Sequence, residues 1–198
     1  MFTQKRRPAG GGCVAVARHA IVESMFALVL TGPPGAGKSE VASCIHDTLG
    51  DEGVDAALIE VDALERSYPP IDRERSISHL RMLAASYREV GSELLLITAT
   101  LEDDEHRLAV LAAAAAEEHL LVRLEADPET MRERLLSREP PGWSGLPELL
   151  NSSRRLAASM QDLPGVGVTI STEGMQPGEV AAAVAAELRS RRQGGGGR

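Results

Sequence analysis

The sequence has few aromatic residues and no excess of basic ones, and both shortages exclude a class of partner. Aromatic residues make up 3% of the 198 residues and hydrophobic residues 43%, so aliphatic side chains and alanine must fill the core. Few side chains can therefore stack on bases, and the formal net charge of −8 does not suit a surface that neutralises many phosphates. These features argue against a nucleic-acid partner and favour a small-molecule substrate.

Cysteine is also scarce, and long apolar runs are missing. Cys13 and Cys44 are too few for a disulfide framework or a thiolate metal site, which favours a reducing, cytoplasmic location. No stretch reaches the roughly 20 apolar residues of a membrane-spanning helix, so we expect no membrane partner. Basic residues before residues 13–21 faintly resemble a signal peptide, but Arg18 and His19 interrupt the apolar run.

Short apolar runs alternate with helical patterns along most of the chain. This alternation predicts one α/β domain with a parallel sheet that helices cover on both faces. The predicted strands are residues 26–30, 56–61, 93–98, 120–124 and 166–170. The predicted helices are residues 38–49, 72–90, 102–117, 128–137, 147–161 and 177–191.

The two ends of the chain differ in composition from this alternating region. Residues 1–24 are rich in glycine and arginine without a sustained period and are predicted to form a flexible arm. Residues 193–198 contain a glycine run and are predicted to be a disordered tail. The folded domain is therefore expected at residues 25–192. Met1 and Met25, which directly precedes the first strand, are both candidate translation starts.

The segment between the first predicted strand and the first predicted helix matches the phosphate-binding pattern G-x-x-x-x-G-K-[ST]. Glycines in such a loop let backbone N–H groups converge on one anion at the positive end of the helix. The pattern predicts an ATP site in which Lys38 reaches the β and γ phosphates and the Ser39 hydroxyl ligates Mg²⁺. Lys5 and Lys38 are the only lysines among 21 basic residues, which strengthens this interpretation. The predicted ATP-binding residues of the loop and first helical turn are Gly32, Pro33, Pro34, Gly35, Ala36, Gly37, Lys38, Ser39 and Glu40.

Two common classes of P-loop protein do not fit the rest of the sequence. A GTPase should carry an N-K-x-D guanine motif, and the chain has none. A motor ATPase should end its third strand in an acid that holds the metal or activates water. Here the third strand runs into Thr98 instead.

Asp62 directly follows the second predicted strand. We therefore expect it at the carboxyl ends of the strands, where open α/β sheets bind ligands. A carboxylate at this edge can accept a hydroxyl proton or organise the Mg²⁺ shell. The sequence leaves both roles open, together with a role as the N-cap of the turn at residues 63–66.

With these residues, the chain resembles the small P-loop kinases. Examples are adenylyl-sulfate kinase, shikimate and gluconate kinases, chloramphenicol phosphotransferase and related actinobacterial ATP-binding proteins of the AAA family. The resemblance covers residues 26–188 and rests on the P-loop, on Asp62, on the arginines within residues 132–138 and on the run at residues 168–172. It implies a three-layer α/β/α P-loop NTPase fold with strand order 2-3-1-4-5 and transfer of phosphate from MgATP to a hydroxyl.

The resemblance also implies a short lid at about residues 139–155 that closes over ATP. Arg134 and Arg138 lie four residues apart on one predicted helix face, and Arg154 follows a segment rich in proline and glycine. A guanidinium group can stack on adenine or bind phosphate with two hydrogen bonds. We expect Arg134 and Arg138 to contact ATP, and Arg138 and Arg154 to be catalytic. Pairing of these arginines with glutamates on a solvated face is the alternative.

The acceptor of the phosphate is not identified by any motif. Nucleosides or nucleotides, adenylyl-sulfate, sugar acids and antibiotic hydroxyls are all candidates. The alternative function is an ATP-binding regulatory or resistance module, or an ATPase without an acceptor, because no acid follows the third strand. The sequence is compatible with both a monomer and a homodimer.

Overall fold

Five parallel strands form one sheet in the computed structural model, which describes residues 24–195. The strands are β1 (Phe26–Thr31), β2 (Ala56–Glu60), β3 (Leu94–Thr98), β4 (Glu118–Glu125) and β5 (Val168–Ser171). Their order is β2-β3-β1-β4-β5, which confirms the predicted α/β class and strand order. Within the described range, no helix has the length and apolar character needed to cross a membrane.

Helices connect the strands and cover both faces of the sheet. They are α1 (Lys38–Asp51), α2 (Val61–Leu64), α3 (Arg73–Glu89), α4 (Asp104–Ala114), α5 (Pro128–Arg138), α6 (Leu146–Ser159) and α7 (Pro177–Gly195). One apolar cluster joins the sheet to α3 and α4 through residues such as Leu80 and Val110. A second cluster joins the other face to α1 and α7 through residues such as Ile45 and Val184.

The central strands β1 and β3 are buried at every position. Strands that are covered on both faces need apolar side chains at every position, and these two runs have them almost throughout. This is why the two strands could be read from the sequence as short continuous apolar runs. Their only hydroxyl residues, Thr31 and Thr98, stand at the carboxyl ends, next to the edge of the sheet that carries the P-loop.

Aspartate side chains begin three of the helices. Asp72, Asp103 and Asp127 accept hydrogen bonds from backbone N–H groups in the first turns of α3, α4 and α5. Each bond satisfies a donor that a helix N-terminus leaves without an internal partner. Pro128 then occupies the first position of α5, as its fixed φ angle and missing N–H predict.

Several boundaries differ from those predicted by one to four residues. Helix α4 ends at Ala114 instead of continuing to residue 117, because Ala115 takes a left-handed conformation with φ of 49° and β4 begins three residues later. Helix α7 continues to Gly195, so residues 193–195 of the predicted tail are helical. The chain turns into α2 directly after β2, which places Asp62 in a helical turn. Residues 1–23 of the predicted arm (residues 1–24) and residues 196–198 of the predicted tail (residues 193–198) lie outside the described residues.

Candidate active site

The P-loop follows β1 and packs closely against α5. Gly35 and Gly37 have φ angles of 87° and 90°, which a residue with a Cβ adopts only with strain. A Cβ atom at Gly35 would lie 2.7 Å from the carbonyl oxygen of Met131, so the backbone of the loop touches the backbone of α5 at this point. Both glycines are therefore required for the path of the loop.

The N-terminus of α1 opens towards the main cavity of the protein. Gly37 is the N-cap of α1, and no side chain of the described residues caps this helix. The first N–H groups of a helix have no partner within it and carry the positive end of the helix dipole. Because Lys38, Ser39 and Glu40 line the cavity, these donors stand where an anion can reach them.

The cavity has a volume of about 710 Å³ and lies at the carboxyl edge of the sheet. Its walls come from the P-loop, the ends of β2 and β3, helix α5 and the start of α7. Three carboxylates besides Asp62 line it, from Glu40, Glu60 and Glu133. A volume of this size is typical of sites for small ligands.

The Lys38 ammonium is buried between the P-loop and the end of β3. Its Nζ donates to the Gly32 carbonyl at 2.8 Å and to Thr100 Oγ1 at 2.9 Å. Asp62 Oδ2 lies 3.8 Å from the same nitrogen. Burial lowers the pKa of Lys38 from its ordinary value, and the charge of Asp62 opposes this shift.

Both carboxylate oxygens of Asp62 accept hydrogen bonds from Thr100. The Thr100 N–H donates to Oδ1 at 3.0 Å and the Thr100 hydroxyl donates to Oδ2 at 2.8 Å. The N-cap of α2 is Glu60, and Asp62 lies two residues later in the first turn. The proposed N-cap role of Asp62 is therefore wrong. The side chain is 46% exposed, which leaves the carboxylate accessible from the cavity.

Arg134 and Arg138 are both on α5 and both line the cavity, but their guanidinium groups have different partners. Arg134 donates to the Gly35 carbonyl at 3.2 Å and to the Thr172 hydroxyl and carbonyl, both at 2.9 Å. Arg138 donates to Glu139 Oε1, and its side chain is 54% exposed. The charge of Arg138, which lines the same cavity, also contributes to the lowered pKa of Lys38.

Helix α6, which contains most of the predicted lid, is attached to the tip of the P-loop. The buried Ser153 hydroxyl donates to the Pro34 carbonyl at 2.7 Å. The next residue, Arg154, is exposed and lines a separate depression of about 300 Å³ together with Glu129 and Arg132. The structure therefore brings Ser153 to the loop and leaves Arg154 apart from the main cavity.

A family model described as an AAA domain matches residues 28–154. The chain belongs to this AAA domain family. No match was found among curated proteins.

Solved structures share the fold of this AAA domain over most of the chain. APS kinase from Mycobacterium tuberculosis, in complex with AMPPNP and APS, is 18% identical with a TM-score of 0.60, covering 84% of this chain and 98% of its own. Shikimate kinase from Acinetobacter baumannii, in complex with shikimate, is 19% identical with a TM-score of 0.59, covering 85% and 96%. A tunicamycin resistance protein from Deinococcus radiodurans is 17% identical with a TM-score of 0.59, covering 83% and 95%. The fold of this AAA domain is thus that of the small P-loop kinases.

The side chains around the P-loop of this AAA domain fit a magnesium–nucleotide complex. Within residues 24–195, no group of three or more His, Cys, Asp or Glu side chains could hold a metal ion alone. Mg²⁺ in nucleotide sites needs fewer protein ligands, because phosphates and waters complete its shell. The Ser39 hydroxyl and the Asp62 carboxylate are oxygen donors that line the same cavity as the open N-terminus of α1.

Thr100 is the residue of the site that the sequence did not reveal. It lies two residues after β3, the region in which a motor ATPase carries an acid. Only its position after β3 pointed to the site. The residue type did not, because threonine is common at the ends of strands. Its contacts with Lys38 and Asp62 appear only in the folded chain.

Proposed function

We propose that this protein is an ATP-dependent phosphotransferase that transfers the γ-phosphate of ATP to a hydroxyl group of a small molecule. The observation that carries this function is the position of the Asp62 carboxylate, 3.8 Å from Lys38 Nζ at the cavity that the P-loop forms. A base for an acceptor hydroxyl has to stand beside the groups that hold the transferred phosphate.

In this proposal, the P-loop and Lys38 bind the phosphates of ATP. The backbone N–H groups of the first turn of α1 surround the phosphate oxygens, and Lys38 neutralises charge on the β and γ phosphates. Bound Mg²⁺ would neutralise further charge on these phosphates, with the Ser39 hydroxyl as its protein ligand. Arg134 supports this site by fixing the Gly35 carbonyl next to Thr172.

Asp62 faces the acceptor and receives the proton of its hydroxyl group. As this proton moves to the carboxylate, the acceptor oxygen forms a bond to the γ phosphorus and the bond from that phosphorus to the bridging oxygen breaks, which releases ADP. Phosphoryl transfer passes through a loose transition state with charge on the phosphoryl oxygens. Arg138 supplies a cation for this charge, because its half-exposed guanidinium lines the cavity near Lys38.

Two features support a small acceptor. The cavity of about 710 Å³ has room for ATP together with a metabolite. The acceptor would lie on the side of Asp62, where Glu60, Ala63 and Arg66 line the cavity away from α5. Nucleosides or nucleotides, adenylyl-sulfate, sugar acids and antibiotics with free hydroxyl groups remain the acceptor candidates.

A screen of ADP release tests the proposal. Wild-type protein is incubated with MgATP and a panel of hydroxyl compounds from these four classes, and the Asp62→Asn variant serves as the matched control. We expect at least one class to stimulate ADP release from the wild type, with the phosphorylated acceptor detected by mass spectrometry. Tight ATP binding without stimulation by any class would instead support the ATP-binding module.

A further inference from the structure

Thr100 occupies the point at which the ends of β2 and β3 meet. The two strands are parallel, and their register pairs Glu60 with Thr98. Asp62 and Thr100 each follow two residues later, so the register of the sheet brings them opposite each other although 38 residues separate them in the chain. The contact between them is thus a consequence of the pairing of the edge strand β2 with β3.

The hydroxyl of Thr100 joins two charged groups. It accepts a hydrogen bond from Lys38 Nζ at 2.9 Å and donates its own proton to Asp62 Oδ2 at 2.8 Å. A hydroxyl can perform both functions with one oxygen atom, because it carries a donor proton and acceptor lone pairs, whereas an ammonium only donates and a carboxylate only accepts. Hydrogen bonds with a charged partner are about twice as strong as neutral ones, so this pair of bonds strongly favours one arrangement of the three side chains.

Without the hydroxyl, the position of Asp62 is poorly determined. The backbone N–H of Thr100 would still bind Oδ1, but Oδ2 would lose its hydrogen bond and keep only the longer ion pair with Lys38 at 3.8 Å. The carboxylate is 46% exposed, so water could replace that bond at many orientations. The two heavy atoms on the threonine Cβ restrict χ1 and so hold the hydroxyl in one direction.

We propose that Thr100 is a positioning residue, which holds the Asp62 carboxylate at a fixed distance from Lys38 through its hydroxyl group. In this way the segment after β3, where no acid follows the strand directly, holds a carboxylate from α2 in the site. The effect of the Thr100 hydroxyl on turnover rests on the proposed function of Asp62. Its effect on the position of the Asp62 carboxylate does not.

Kinetics of Thr100→Val and Thr100→Ser test the effect on turnover. Valine has nearly the shape of threonine without the hydroxyl, whereas serine keeps the hydroxyl. We expect kcat to fall at least about tenfold in Thr100→Val with KM for ATP within about threefold, and Thr100→Ser to stay within about threefold of wild type. In an Asp62→Asn background, Thr100→Val should cause no further fall in kcat, because both substitutions disturb the same interaction between Thr100 and Asp62. A wild-type kcat in Thr100→Val, or additive losses in the double variant, would overturn the positioning role.

Crystal structures of the same two variants provide a test that does not depend on activity. In Thr100→Val the Asp62 carboxylate should leave its place 3.8 Å from Lys38 Nζ, and in Thr100→Ser it should remain there. An unmoved carboxylate in Thr100→Val overturns the proposal even if the wild type transfers no phosphate. Should that variant not fold, Thr100→Ala removes the same hydroxyl from a half-buried position without adding bulk. A wild type that transfers no phosphate would refute the proposed function alone.

Discussion

The two sides of the P-loop differ in what their polar side chains bind. On the side of β2 and β3, Lys38, Thr100 and Asp62 bind one another and line the cavity. On the side of α5 and α6, Arg134 and Ser153 donate to carbonyl groups of the loop itself. The first side therefore presents charge to a ligand, whereas the second fixes the shape of the loop. Substitutions of Lys38, Thr100 and Asp62 should mainly change turnover, and those of Arg134 and Ser153 should mainly change stability and nucleotide affinity.

The largest effect is expected at Lys38, which binds both the loop and Thr100. Lys38→Ala should abolish turnover and weaken ATP binding, because the lysine neutralises phosphate charge both in bound ATP and in the transition state. ADP release and ATP titration measure the two effects, and the melting temperature serves as the folding control. Turnover near that of the wild type would show that the loop is not catalytic.

Asp62→Asn separates catalysis from binding on the first side. Asparagine keeps the shape and removes the charge, so kcat should fall at least about a hundredfold while ATP affinity stays within a few-fold of wild type. Measurements at two magnesium concentrations distinguish the two roles of this carboxylate. Partial rescue by higher magnesium would identify a metal organiser, and no rescue would identify a base. An unchanged kcat would contradict both.

On the second side, Arg134→Ala should lower stability and ATP affinity together. The substitution leaves the carbonyl groups of Gly35 and Thr172 without this donor. The free energy of unfolding should fall by about 1–3 kcal/mol, which corresponds to a melting temperature lower by roughly 5 °C. Arg138→Ala is the matched control on the same helix, because its half-exposed guanidinium binds only its neighbour Glu139 among the described residues. We expect that variant to keep its melting temperature and to lose about tenfold in kcat. Equal melting temperatures for both variants would show that the contacts of Arg134 with the loop do not stabilise the protein.

The smallest effect is expected at Arg154. Because it lines the depression beside α5 and α6 instead of the main cavity, Arg154→Ala should change kcat and KM by less than about twofold. Steady-state kinetics measure this directly. A loss of tenfold or more in kcat would mean that α6 rotates during the reaction and would restore Arg154 to the catalytic set.

Local patterns in the sequence determined the fold class and the phosphate site. The apolar runs of β1 and β3 predicted buried strands, because parallel strands covered on both faces need apolar residues throughout. The spacing of glycines before Lys38 predicted the P-loop, because that conformation depends on a few adjacent residues. Even Asp62 was placed near the site by its position after a strand, although the helical turn of α2 was not foreseen.

The tertiary structure alone decided which side chains meet around that loop. Thr100 reaches Lys38 across 62 residues and Arg134 reaches Gly35 across 99, so neither contact leaves a local pattern in the sequence. The direction of a side chain on a helix depends on how the helix is rotated against the sheet. Ser153 and Arg154 are adjacent in sequence, yet one is buried against the P-loop and the other is exposed. Packing sets that rotation, because each helix turns its apolar face towards the core and its remaining side chains follow.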